Sequence, residues 1–128
     1  MTRFKFRAWD SVNKEMLDAN TGCFFYEEDN GFHCGYLAGV NAPADVAGDW
    51  VECPVMQWTG IRDKNGIEIY EGDIVNLDTL CKYEGGGTIW RIKPHKVVFE
   101  RQRWLPDRLS ESEIIGNIYE HPELVGAV

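Results

Sequence analysis

The sequence lacks the hydrophobic segments that direct a chain into or across a membrane. No stretch approaches the roughly 18 consecutive apolar residues of a transmembrane helix. Residues 2–7 mix apolar, polar and basic side chains, without the apolar core and cleavage site of a secretory signal. We therefore expect a cytoplasmic protein that makes no contact with membranes.

Closely spaced cysteines are also missing. The four cysteines are Cys23, Cys34, Cys53 and Cys81, and no two of them form a Cys-x-x-Cys pair. Structural zinc sites usually take their ligands in such pairs, so a site that combines these cysteines with His33 is the less favoured alternative. We predict no metal site and no cofactor. A reducing cytoplasm disfavours disulfides, and we interpret the cysteines as small buried apolar residues.

Basic residues are scarce, with 13 Lys and Arg against 21 Asp and Glu and a formal net charge of −8. Such a chain is a poor nucleic-acid binder by default, because affinity for phosphate comes from bases. The bases nevertheless concentrate in residues 82–108, where seven face three acids. A nucleic-acid or partner surface in this region is therefore one hypothesis, and its residues are Trp90, Arg91, Lys93, Lys96, Arg101, Arg103 and Trp104. The competing interpretation makes these bases the solvated faces of strands whose alternate residues fill a core, namely Trp90, Ile92, Val97 and Phe99.

Amphipathic helical periodicity is almost absent, and short segments of alternating polarity take its place. We count about seven to nine short strands, which predicts a mainly β fold with little helix: a small, partly open barrel or roll with an SH3-like element. Residues 1–128 are predicted to form a single domain, with residues 20–50 as a variable insertion. A short helix is predicted at 122–125, where Pro122 occupies the first turn.

The strongest local signal lies between Asp63 and Val75. A two-residue loop at Asn65-Gly66 would oppose Asp63 to Glu68, whereas a three-residue loop sets Arg62 opposite Glu68 and Ile61 opposite Ile69. The second register also suits a type I turn that begins at Asp63 and ends at a left-handed Gly66. A second sharp bend is predicted at Gly72-Asp73.

Other strands are predicted with less detail. The alternation at 4–8 predicts a strand that pairs with 15–17 in an N-terminal hairpin and leaves Trp9 on the outward side. Residues 23–26 and 33–37 are candidate strands around an acidic turn. The tri-glycine at 85–87 is interpreted as a flexible loop, because no helix follows it. Residues 88–92 are predicted to pair with 96–100 across a turn at 93–95.

Three segments together resemble the YopX family of phage and prophage proteins. They are the sequence FKFRAWD at 4–10, the run from 56 to 75 that contains MQWTG, DKNG and IYEGDIV, and IGNIYEHPEL at 115–124. The family's usual ending has Asn at the position of His121. The resemblance implies a mainly β protein of the bacterial cytoplasm, of phage or prophage origin. It implies no reaction and transfers no catalytic residues.

An enzymatic hypothesis would use Glu68, Glu71 and Asp73 with His95 or His33 as acids and base. No nucleophile-base spacing supports it, and these acids suit a turn equally well, so we predict no catalytic residues and keep a hydrolytic enzyme as the least favoured alternative.

The favoured hypothesis is a non-enzymatic binding module that self-associates or binds a host or phage protein. It rests on more aromatic residues than a core of this size readily encloses, and on the open edges of short strands. The aromatic residues proposed for the interface are Trp9, Trp58, Tyr70, Trp104 and Tyr119.

Overall fold

Strands dominate the part of the chain that the computed structural model describes, which is residues 5–18, 24–28, 31–37 and 47–125. The strands are β1 Phe6–Asp10, β2 Glu15–Leu17, β3 Phe24–Glu28, β4 Gly31–Leu37, β5 Trp50–Cys53, β6 Val55–Arg62, β7 Glu68–Tyr70, β8 Asp73–Lys82, β9 Thr88–Lys96, β10 Val98–Glu100, β11 Arg103–Leu105 and β12 Glu113–Asn117. Two 3-10 turns, Leu109–Glu111 and Pro122–Val125, are the helical elements of these residues. The prediction of a mainly β fold with little helix is confirmed. The SH3-like element stays a prediction.

The chain divides into two compact units after Gln57. In the first unit, β1 pairs antiparallel with β2 and with the beginning of β6, and β4 lies between β3 and β5. A core cluster joins buried residues of β1, β2, β4 and β5, which are Ala8, Leu17, Cys34, Val51 and Cys53. The predicted N-terminal hairpin and the pair of strands at 24–37 are therefore present.

In the second unit, the end of β6 forms a hairpin with β7, and a three-stranded sheet has the order β12-β8-β9. A separate hairpin joins β10 and β11. The core of this unit contains Ile69, Val75, Val97 and Leu109. The predicted turn at 122–125 is a 3-10 turn, and neither helical element is long and apolar enough to span a membrane.

The β6–β7 hairpin has the predicted three-residue loop, with Arg62 opposite Glu68. The expected pairing of Ile61 with Ile69 is replaced by a shift in register between Trp58 and Arg62. The Thr59 hydroxyl explains the shift: it donates to the Ile69 carbonyl at 2.8 Å and accepts the Ile61 N–H at 3.1 Å. The Thr59 side chain thus replaces part of the backbone hydrogen bonding between β6 and β7.

Two further expectations are wrong. Trp9 is only 7% exposed, so it does not lie on the outward side of β1. Residues 93–95 form no turn, because β9 runs through Pro94 to Lys96 and pairs with β8, while β10 pairs with β11. Proline is tolerated on an edge strand, where its missing N–H need not remove a ladder hydrogen bond. The chain reverses at the tri-glycine instead.

The prediction that the cysteines are buried is confirmed for Cys34 and Cys53. Cys34 and Cys53 are buried and Cys81 is half-buried, whereas Cys23 lies outside the described residues. Across the described ranges, no group of three or more His, Cys, Asp or Glu side chains is arranged to hold a metal ion.

Candidate interaction surface

The most exposed apolar surface of the second unit is the outer half of the β8–β9 hairpin, residues 78–92, which we call the arm. Its turn closes through two hydrogen bonds between Tyr83 and the glycines, Tyr83 N–H to Gly87 O at 3.0 Å and Gly86 N–H to Tyr83 O at 3.2 Å. Gly85 and Gly86 both have positive φ, which glycine adopts without a steric penalty. The tri-glycine therefore permits a tight reversal between two long strands.

Burial along the hairpin changes abruptly at its midpoint. Ile74, Val75 and Leu77 on the inner half of β8 are buried in the unit. Beyond Leu77 the strand alternates between half-buried and exposed positions, and β9 is exposed along its length except at His95. The arm consequently has strand geometry without a covering core.

The register divides the arm into two faces. Opposed residues of antiparallel strands point to the same side, and Leu80 lies opposite Trp90 while Asp78 lies opposite Ile92. One face therefore carries an apolar row of Leu80, Trp90 and Ile92. Their exposed fractions are 54%, 59% and 69%.

The expectation that Trp90, Ile92 and Phe99 fill a core is wrong, because all three are more than half exposed. Only Val97 of that set is fully buried. Alternation along a strand specifies two faces, but it does not specify that an element covers either of them.

The other face of the hairpin carries Arg91 on the arm and Lys93 directly beyond it, both separated from Trp90 by the sheet itself. The base nearest Trp90 is Arg108, which sequence reasoning did not single out. Its guanidinium lies 5.6 Å from the Trp90 ring centroid, within the range of a cation–π contact, and donates to the Asp78 carbonyl oxygen at 2.7 Å. Arg108 therefore contacts both strands of the arm, at Trp90 on β9 and at Asp78 on β8.

The remaining residues of the predicted surface are dispersed. Lys96 ends β9, and Arg101 lies in the turn between β10 and β11. Arg103 forms an exposed ion pair with Asp107 at 3.4 Å. Trp104 is half-buried and packs edge-on against Phe99 at 4.9 Å. The structure thus brings only two of the seven predicted residues, Trp90 and Arg91, onto the arm, and Lys93 directly follows it.

The aromatic residues proposed for an interface are also located differently. Trp9 is buried, and Trp58, Tyr70, Trp104 and Tyr119 are half-buried. Among the residues whose side-chain burial the structure describes, the exposed aromatic ones are Trp50, Tyr83, Trp90 and Phe99. Two of these four, Tyr83 and Trp90, belong to the arm.

The turn residues that stood out in the sequence have structural roles. The Asp63 carboxylate is buried and accepts the N–H groups of Asn65 and Ile67 at 2.9 Å and of Ile114 at 3.0 Å. Burial alone would raise its pKa, but these three donors outweigh burial and the pKa lies below its ordinary value. Gly66 closes the turn with φ +83°.

The second bend is held in the same way. Gly72 has φ +86°, its N–H donates to Val97 O and its carbonyl accepts the Ile118 N–H, both at 2.9 Å. The Asp73 carboxylate is buried and accepts the Tyr70 N–H at 2.8 Å. These contacts give Asp73 a structural role in the bend at Gly72.

His95 is the imidazole nearest to the arm, and its Nε2 lies 2.7 Å from Thr79 Oγ1. Burial, together with the positive charges of Lys93 and Arg108, lowers the pKa of His95. The ring is therefore neutral at pH 7 and bonded to a hydroxyl on the same face of the sheet.

Two cavities in the described residues are smaller than typical sites for small ligands, which have volumes of about 300–1,000 Å³. One of 280 Å³ in the first unit is lined by His33, Glu52, Cys53, Pro54 and Val55. One of 140 Å³ in the second unit lies beside the base of the arm and includes Leu77, Asp78 and Ile92.

Comparison with known proteins identifies a family and a similar solved structure. A family model described as YopX protein matches residues 5–126. The chain is similar to a structure described as the crystal structure of protein EF1440 from Enterococcus faecalis, with 26% sequence identity and a TM-score of 0.56 over 98% of this chain and 99% of that chain. No curated protein matches the sequence.

Proposed function

Since the chain belongs to the YopX family, as its three motifs predicted, we propose that it is a non-enzymatic binding module whose arm pairs with the arm of a second copy. The observation that carries this proposal is a nine-residue strand, β9, with exposed apolar side chains and a ladder on one side only among the described residues.

An edge strand of this kind invites pairing. Alternate N–H and carbonyl groups of β9 point away from β8 and form an open row that another strand can use. Its nine consecutive pairs with β8 hold the backbone extended. A partner strand can therefore form hydrogen bonds with β9 while β9 is already extended. This lowers the entropic cost of association.

A two-fold antiparallel register centred on Trp90 suits two copies. In this register Arg91 lies opposite Ile89 of the second copy, and Lys93 lies opposite its Gly87, so like charges are never directly opposed. On the other face, the rows of Leu80 and Trp90 from both copies become continuous. The arrangement brings the Trp90 side chains of the two copies next to each other on one face and leaves Arg91 and Lys93 on the other.

The available area also suits a dimer. Five arm residues are large, apolar and about half exposed, and they are Leu80, Tyr83, Ile89, Trp90 and Ile92. Together they present on the order of 500 Å² of apolar surface per copy. The side chains of this set that lie beside the seam between the two β9 strands come into contact in the dimer, and the backbone hydrogen bonds between the two edges add to that contact.

Nucleic acid remains the alternative prediction, but the geometry favours a protein. Single-strand binding combines a basic groove with accessible aromatic faces. Here Trp90 and the bases Arg91 and Lys93 lie on opposite faces, and the Trp90 ring is already in contact with Arg108.

The test is the oligomeric state of matched variants by sedimentation velocity. We expect a concentration-dependent dimer for the unmodified protein and a monomer for Ile92→Glu and Trp90→Glu. Leu37→Glu is the control, because Leu37 is an aliphatic residue that is 67% exposed in the first unit, close to the 69% of Ile92. That variant should still dimerise. A monomeric unmodified protein at hundreds of micromolar, or equal loss in the control, would overturn the proposal.

A further inference from the structure

We infer that Cys34 and Cys53 are a disulfide-forming site, in which a small peroxide oxidises a thiol pair across strands β4 and β5. The inference concerns the first unit only and stands apart from the function proposed for the arm.

The register places the two residues opposite each other. Cys34 pairs directly with Cys53 in the antiparallel β4–β5 ladder, next to the pair Gly35 and Glu52. Directly opposed residues have Cα atoms about 4.5–5.5 Å apart and side chains on one face. A disulfide needs Cα atoms about 4.4–6.8 Å apart, so the bond requires little movement of the backbone.

Their surroundings hold the pair in place. Cys34 is fully buried and Cys53 is 3% exposed, and both belong to the core cluster that contains Ala8, Leu17 and Val51. Close packing limits rotation of the strands relative to each other. The backbone register that places both thiols on one face is therefore held fixed in the folded chain.

Access to the pair is uneven, and this sets the order of reaction. Cys53 lines the 280 Å³ cavity together with His33, Glu52, Pro54 and Val55. Cys34 is absent from that lining. The cavity is many times the roughly 30 Å³ that one water occupies, so it admits a molecule as small as hydrogen peroxide.

The chemistry then balances with peroxide as the oxidant. The Cys53 thiolate attacks one peroxide oxygen, the O–O bond breaks, and a sulfenic acid and one water result once the leaving hydroxide takes up the proton lost by the thiol. The Cys34 thiol attacks the Cys53 sulfur, the S–O bond breaks, and the hydroxide that leaves takes the Cys34 proton as a second water. Two thiols and one peroxide become one disulfide and two waters.

The experiment uses the full chain with Cys23→Ser and Cys81→Ser, which leaves only the proposed pair. After treatment with hydrogen peroxide and unfolding, we expect both thiols to resist alkylation, the intact mass to fall by two hydrogens, and dithiothreitol to restore both thiols. The cross-link closes a long loop, so Tm should rise by roughly 5–10 °C in the oxidised form.

Two controls separate proximity from general reactivity. Adding Cys34→Ser should abolish the disulfide and let Cys53 gain oxygen mass instead. Adding Cys53→Ser instead leaves Cys34, which is fully buried and absent from the cavity lining, and this thiol should stay unoxidised. If the serine variants fail to fold, peptide mapping of the oxidised unmodified protein should still find Cys34 linked to Cys53. Two alkylatable thiols after oxidation, or linkage only between chains, would overturn the inference.

Discussion

At the scale of single residues, buried acids stabilise the backbone. Asp63 and Asp73 accept N–H groups at the two bends of the second unit. In the first unit, Asp10 is fully buried and accepts the Val12 N–H and the Tyr36 hydroxyl at 2.9 and 2.8 Å. Some of the aspartates that make the chain acidic are therefore buried, and their carboxylates accept hydrogen bonds that stabilise turns.

Replacing Asp63 by Asn is expected to destabilise the protein by about 2 kcal/mol, because an amide group donates where the carboxylate accepts a third N–H. Urea denaturation at pH 7 measures the change. Asp78→Asn is the matched control, since Asp78 is exposed on the arm, and it should change stability by less than about 0.5 kcal/mol. Equal effects of the two changes would contradict the role given to Asp63.

Lowering the pH should reduce the free energy of unfolding through the buried carboxylates of Asp10 and Asp63. At Asp10 burial opposes ionisation, but hydrogen bonds from Tyr36, Asn13 and Val12 prevail and lower its pKa, as the backbone donors do for Asp63. Folded pKa values below the ordinary 3.8 mean that this stabilisation is complete above about pH 4 and is lost as the pH falls through the folded values.

The difference in unfolding free energy between the unmodified protein and Asp63→Asn should therefore be largest near neutral pH and shrink below pH 4. Denaturation series from pH 7 to pH 3 measure it. If this difference in unfolding free energy increased below pH 4, the predicted pH dependence would be wrong.

At the scale of elements, turn chemistry decides how well each hairpin is closed. The β6–β7 loop places Gly66 at its positive φ, whereas the β10–β11 turn places Arg101 at φ +52° and Gln102 at φ +63°. Two successive positive φ values are typical of a type I′ turn, which prefers Asn-Gly. The β10–β11 hairpin is therefore closed by residues that are strained in this conformation.

The double change Arg101→Asn with Gln102→Gly is expected to stabilise the protein by about 1 kcal/mol, because it relieves two left-handed side-chain residues. Thermal unfolding gives the measurement. An unchanged or lower Tm would contradict the assignment of strain to this turn.

Gly66→Ala should have the opposite sign and cost about 1 kcal/mol. A Cβ atom at Gly66 would meet nothing within 4 Å, so the cost arises from its φ alone. A neutral effect in thermal unfolding would indicate that this turn relaxes freely.

At the scale of the whole molecule, the charge distribution opposes the association of two copies through β9. The chain carries −8, yet β9 contains three bases and no acid. Two copies therefore repel each other at long range through their acidic residues, and at short range through bases that lie diagonally across the proposed pair of strands. The apolar row must supply the attraction.

Added salt is consequently expected to strengthen self-association. Raising NaCl from 0.05 to 0.5 M shortens the Debye length to less than about half, and the dimer dissociation constant should fall several-fold. Sedimentation velocity at matched concentrations measures the change. Binding to nucleic acid would weaken under the same change, so dissociation of the complex by salt would favour that alternative.

Local chemistry determined the turns of this protein from sequence alone. Asp63, Asn65 and Gly66 predicted a loop and a register because the hydrogen bonds from Asn65, Gly66 and Ile67 to Asp63 lie within five residues. Local sequence also predicted the bend at Gly72 and the short helical turn that begins at Pro122. Alternation likewise predicted strands, and hence a mainly β fold.

Tertiary structure decided which strands pair and which faces are covered. Trp90 and Ile92 have the alternation of core residues, but burial of the hairpin ends at Leu77 and both are exposed. Cys34 and Cys53 became neighbours only through the β4–β5 register, across 18 intervening residues. Exposure and pairing depend on segments far apart in the chain, whereas a turn depends on its own few residues.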